Sequence, residues 1–192
     1  MMQVTPVLSQ LPPRPDFEAM AAAAPASADR RTMILSLIGN LIVSWSNNES
    51  LFIYVLMILL DTDQPSAAIV FATLNTTRAR LDLIQRLAKI RLKDPKLDKA
   101  LSKLIDRFNR STALRNEFNH CMYITDESGQ ITHTQSMRLV ESREHLQFGI
   151  SKPLDDVRLR SMVEAAKEMS NINRGIWDLL PQLQLHLQST RP

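Results

Sequence analysis

Glycine and cysteine are both scarce in this chain: 192 residues hold four glycines and one cysteine. Tight hairpin turns draw on glycine for their left-handed positions, so a predominantly β fold is disfavoured. The single Cys121 excludes an internal disulfide and suits a reducing compartment. Aromatic residues are few, 5% of the chain, and none is interleaved with the basic residues Arg78, Arg86, Lys89 and Lys93, which argues against a platform of rings for stacking single-stranded bases. The four histidines form no H-x-x-x-H pair and no glycine-rich phosphate loop occurs, so neither a metal nor a cofactor is expected.

What is present suits helices. Hydrophobic residues account for 44% and charged residues for 22%, ordinary for a globular protein with one sizeable core. The opening "MMQVTPVLSQLPPRP" has neither a basic leader nor a continuous apolar core, so a cytoplasmic location is expected. Residues 1–29 are rich in Pro and Ala and read as a disordered tail ahead of a helical domain over 30–192.

Periodicity predicts a first helix over about 32–46, capped by Asp29 or Thr32, with Met33, Leu37, Leu41 and Trp45 along one face. A second is expected at about 48–61, capped by Asn47 or Asn48. The polar "SWSNNES" would then separate a pair of apolar runs, each too short to cross a bilayer about 30 Å thick, so no stable membrane insertion is expected. Pro65 opens a third helix to about residue 92. A fourth follows "KDPKLD" and runs to about Tyr123.

After Tyr123 the period changes. "YITDESGQITHT" reads as a β-hairpin turning at Asp126–Gly129, and "HLQFGI" is ambiguous but compatible with a further strand. "KPLDD" starts a closing helix over about 154–187, which Pro181 should kink or shorten. The expected class is all-α: a four- to five-helix bundle with a small β-hairpin insertion before the last long helix.

Charge is unevenly spread. Residues 1–77 carry three basic and six acidic groups, residues 78–110 eleven and four, and residues 111–192 nine and ten. The basic stretch includes Arg78, Arg86, Lys89 and Lys93, which share an arc of roughly 80° on a helix turning about 100° per residue. They read either as a solvated face or as a track for RNA phosphates.

The basic stretch leads into "LRNEFNHCMY", residues 114–123. On a helix, Asn109, Ala113, Asn116 and His120 fall in one stripe roughly 60° wide, while Leu114, Phe118 and Cys121 turn toward the core. Arg115 lies beside the stripe with a fork of donors matched to phosphate oxygens. His120 is a proton carrier near neutral pH. Together they suit phosphodiester chemistry without metal; the plainer reading is a polar helix edge with satisfied hydrogen bonds.

Arg115-Asn116-Glu117-Phe118-Asn119-His120 resembles the R-x4–6-H signature of the HEPN superfamily, including the polar residue after the arginine. The similarity spans about residues 32–187, but the sharp match is six residues long. The resemblance implies a helical homodimer with these helices facing one another, as in bacterial HEPN-like proteins. Its active members are metal-independent endoribonucleases, often toxins or defence effectors, some held by an antitoxin or other regulatory protein.

Carried over, His120 is the general acid/base on the ribose 2′-hydroxyl or the leaving oxygen. Arg115 binds the scissile phosphate, and Asn116 orients His120 or the phosphate. Asn119, Glu49 and Tyr123 stand as supporting residues; Glu49 either stays wet at a helix corner or pairs with Arg115. The chain reads H-x-x-Y where toxins paired with a nucleotidyltransferase antitoxin read H-x-Y, so that antitoxin system is not predicted. The same fold also accommodates a non-catalytic module that dimerises or binds a nucleotide or partner protein.

Overall fold

The computed structural model of the chain describes residues 30–125, 131–141 and 146–190. Among these it is mostly helical with small antiparallel sheets. The helices are α1 (Arg30–Leu60), α2 (Gln64–Thr73), α3 (Thr77–Arg91), α4 (Pro95–Asn119) and α5 (Asp156–Ser189). Between α4 and α5 lie β1 (Cys121–Thr125), β2 (Ile131–Ser136), β3 (Leu139–Glu141), β4 (Leu146–Phe148) and β5 (Ser151–Pro153). The expected tail, the turn at Asp126–Gly129, Asp29 and His145 lie outside the described residues.

The expected break at "SWSNNES" is absent: α1 is one helix of 31 residues. Its polar side chains are satisfied without leaving the helix. Ser50 Oγ donates to the Ser46 carbonyl at 2.9 Å, and buried Asn48 accepts from Asn173 Nδ2 at 2.7 Å. Thr32 is therefore interior to α1 and not its cap. By length and composition α1 is also long and apolar enough to cross a membrane, as many buried core helices are, and half of its most apolar stretch is buried. Because α1 is continuous, it is not a pair of apolar runs each too short to cross a bilayer.

The expected helix over 65–92 is two helices. Asp63 caps α2 by accepting from Ser66 N at 2.7 Å, with Pro65 in the first turn. Thr76 in turn caps α3 through Ala79 N. Leu74 and Thr76 adopt extended backbone, which ends one helix and starts the next. Arg80 secures this corner. Its Nε donates to the carbonyls of Phe71 and Leu74, its Nη1 reaches Glu49 Oε1 at 3.0 Å, and its guanidinium covers the Phe71 ring.

The described residues cluster into two compact units, and the division passes through α1, α4 and α5. Residues 46–109 and 171–190 form one. Its buried side chains include Phe52, Leu56, Ile84, Ile105 and Phe108, with the Phe52 and Phe108 rings 5.4 Å apart and tilted. A Cβ on Gly175 would come within 2.7 Å of Leu104 Cδ2, so the end of that side chain would have to shift. Pro181 sits inside α5 without ending it.

Residues 30–45 and 110–170 form the other unit, built on Ile34, Leu41, Phe118, Ile131, Leu154, Leu159 and Met162. Leu114 and Tyr123 pack against this core. Arg30 ties the start of α1 to that of α5 through Asp156 at 2.7 Å and the Leu154 carbonyl at 2.9 Å.

The hairpin expected after Tyr123 is real but larger than predicted. The strands β1-β2-β5 form a three-stranded antiparallel sheet in that order, and β3 pairs with β4 as a separate ribbon. Tyr123 stands opposite Thr134, which stands opposite Lys152. Gly149 makes the return possible. Its φ is +73°, and a Cβ there would collide with the Ser136 carbonyl oxygen. Its N–H donates to the Arg138 carbonyl at 2.7 Å, and Ile150 N donates to Ser136 Oγ at 2.9 Å.

Candidate functional site

The helix α4 ends at Asn119, and His120 follows with its N–H still bonded to the Asn116 carbonyl at 3.1 Å. The helical register therefore holds through the motif. Ala113, Asn116 and His120 from the expected stripe, with Glu117, line a pocket of about 710 Å³. The opposite lining comes from the sheet region: Ser136, Met137, Arg138, Ile150 and Lys152. The volume lies within the range of small-molecule sites, roughly 300–1,000 Å³.

His120 is exposed, and its Nε2 lies 3.5 Å from Asn119 Nδ2. Asn116 is half-buried and shared between two surroundings. It lines the pocket, while its Oδ1 accepts from Arg115 Nη1 at 2.9 Å. That oxygen is held by Arg115, and the NH2 group is the donor Asn116 offers a ligand.

Arg115 is the residue that departs most from expectation. It does not line the pocket. Its guanidinium lies over Trp45 with Cζ 4.0 Å from the ring centroid, while Trp45 donates its indole N–H to Thr112 Oγ1 at 2.9 Å. A guanidinium plane on an indole face is a favourable cation–π arrangement. The Nε of Arg115 is buried without a hydrogen-bond partner. Arg115 thus reaches the pocket only through Asn116.

Nor does Glu49 support Arg115. Its Oε1 accepts from Thr77 Oγ1 at 2.6 Å and from Arg80 Nη1 at 3.0 Å. Tyr123 is tied as well: its hydroxyl donates to the Phe118 carbonyl at 2.5 Å, and burial pushes its pKa well above the usual phenol range. Burial likewise raises the Cys121 thiol, which leaves it a poor nucleophile. The exposed Arg78, Arg86, Lys89 and Lys93 belong to the other unit and none lines this pocket.

Sequence reasoning missed the charged group on the sheet side. Glu117 Oε1 accepts from Lys152 Nζ and from Arg158 Nη2, each at 2.6 Å. Burial opposes the charge on Glu117, but the two cations outweigh it and hold its carboxyl below the usual range. Arg158 is 13% exposed and packs over the Phe118 ring, whereas Lys152 is 49% exposed at the pocket wall. No short motif announces this cluster, because Lys152 and Arg158 are 35 and 41 residues from Glu117.

Among the described residues no group of three or more His, Cys, Asp or Glu is arranged to hold a metal ion. His133 Nδ1 contacts Thr132 Oγ1, and His186 Nε2 accepts from Lys93 N at 3.2 Å. Compared with protein families, curated proteins and solved structures, the chain matches none.

Proposed function

We propose that this is a HEPN-like, metal-independent endoribonuclease of the toxin or defence type, acting in the cytoplasm as a homodimer. The observation that carries the reading is the pocket itself. The one histidine of the R-x4-H motif is exposed on a groove of about 710 Å³, next to an asparagine anchored by the arginine of the same motif.

In this reading His120 takes the proton of the ribose 2′-hydroxyl as that oxygen attacks phosphorus. The bond from phosphorus to the 5′ oxygen breaks, and that oxygen receives the proton that His120 has taken. The NH2 of Asn116 donates to a phosphate oxygen. Arg115 then acts first as a positioning residue, fixing which face of Asn116 the substrate meets. RNA is the substrate, and an antitoxin or other regulatory protein covering the groove is the natural means of control.

One observation favours the second reading, a non-catalytic module that binds a nucleotide or a partner. Arg115 is spent on Trp45 and Asn116, as a structural arginine would be. Cutting of mixed RNA in EDTA separates the two: the ribonuclease cuts and loses that activity in His120→Ala, whereas the module never cuts. Light scattering at micromolar concentration tests the dimer, which a 21.8 kDa species alone would refute.

A further inference from the structure

The motif assigns phosphate binding to Arg115, yet Arg115 does not line the pocket. We infer that Lys152, assisted by Arg138, is the phosphate-binding subsite of this groove, so the cation facing the substrate comes from the sheet insertion and not from the motif helix. The inference rests on the reading of the pocket as a site for phosphodiester chemistry, and it replaces that site's source of positive charge.

Glu117 Oε1 receives two cations at 2.6 Å each, so the group Glu117, Lys152 and Arg158 carries one net positive charge. Burial decides where the surplus is felt. Arg158 is 13% exposed and held over Phe118, so it is the more enclosed of the two counter-ions of Glu117. Lys152 is 49% exposed and lines the pocket with His120 and Asn116.

An ammonium group is a compact point charge on a flexible stem, able to turn from a carboxylate to a phosphate without leaving the wall. Arg138, exposed on the same lining, adds a second cation. Two cations, an imidazole and an amide around one groove, against a single carboxylate already neutralised by Arg158, favour an anion. Register holds Lys152 in place: it pairs with Thr134 across the sheet, and Gly149 makes the turn that brings its strand back.

The test is binding rather than cutting. A DNA dinucleotide carries one phosphodiester but no 2′-hydroxyl, and inorganic pyrophosphate carries phosphate alone. Each is titrated into the full chain while the imidazole NMR signals of His120 are followed. Lys152→Met should weaken both probes at least about fivefold and Arg138→Met less, as expected for loss of a charge-assisted contact. Lys167→Met, which removes a charge paired with Glu164 outside the pocket lining, should change binding by less than about twofold.

Glu117→Gln should tighten binding, because it releases Lys152 from its carboxylate; a merely structural role for the cluster would not do so. Circular dichroism checks that each variant folds. Wild type that binds neither probe, or Lys152→Met that binds as wild type does, overturns the inference. Probe binding lost in Lys152→Met alongside wild type that never cuts RNA would sustain the subsite and sink the ribonuclease. Cutting that persists with Lys152→Met binding unchanged would do the reverse.

Discussion

The guanidinium of Arg115 lies 4.0 Å from the centre of the Trp45 ring while its Nη1 donates to Asn116 Oδ1 at 2.9 Å. These two contacts decide what the arginine can do. The ring takes its face and the amide takes one edge, so its influence on the pocket passes through Asn116.

Replacing Arg115 should therefore be felt in stability as well as activity. Arg115→Lys keeps the charge but loses the planar stack and the fixed fork, and should cost about 1 kcal/mol. Urea unfolding followed by tryptophan fluorescence measures this. A midpoint equal to that of wild type would show that the stack contributes nothing.

Glu117 makes stability depend on acid pH in a definite direction. Its folded carboxyl lies below the ordinary 4.5, so the ion pairs stabilise the protein above that value and fade as pH falls through the folded one. The contribution is about 1 kcal/mol, given that Lys152 is half exposed. Wild type should lose it as pH falls below about 4.5, whereas Glu117→Gln should lack this component. Parallel pH curves for the two proteins would contradict the assignment.

Glu49 and Arg80 predict a second, independent loss. Their side chains are 16% and 21% exposed, and removing the carboxylate leaves Arg80 largely enclosed without its counter-ion. Glu49→Ala should destabilise by about 2 kcal/mol, as expected for an unpaired, partly buried charge. In thermal melts the double variant Glu49→Ala, Arg80→Met should recover some of that loss. A double variant no more stable than Glu49→Ala would mean the pair is not coupled.

Gly149 tests the sheet insertion. Alanine there meets both a φ of +73° and the Ser136 carbonyl, so Gly149→Ala should lower stability by more than about 1 kcal/mol. Because the same turn carries Ile150 and Lys152 to the pocket, probe binding should weaken along with it. A variant with unchanged melting and unchanged binding would show that the return does not depend on this glycine.

What could be read from the sequence follows the range of the interactions involved. Of the stripe Asn109, Ala113, Asn116 and His120, the last three were legible because helical spacing is local and they line one pocket, whereas Asn109 does not line it. The face Met33, Leu37, Leu41 and Trp45 was legible for the same reason, with Leu41 and Trp45 buried. Helix ends were less so. The polar "SWSNNES" resembles a corner, yet Asn48 stays helical because Asn173, 125 residues away, satisfies it. The split at Leu74–Thr76 was missed, though Thr76 is a good capping residue. The phosphate role of Arg115 rests on its chemistry, its place beside the stripe and the HEPN resemblance, none of which can foresee the distant Trp45 indole offering a better seat. Lys152 was invisible because only sheet register brings it to Glu117.

The most direct test of the central claim is cutting of mixed RNA in EDTA by wild type, His120→Ala and Arg115→Ala, purified identically and checked for folding by circular dichroism. Metal-independent cutting by wild type is expected, abolished in His120→Ala and strongly reduced in Arg115→Ala. Wild type that leaves the RNA intact, or His120→Ala that cuts as fast as wild type, would contradict it.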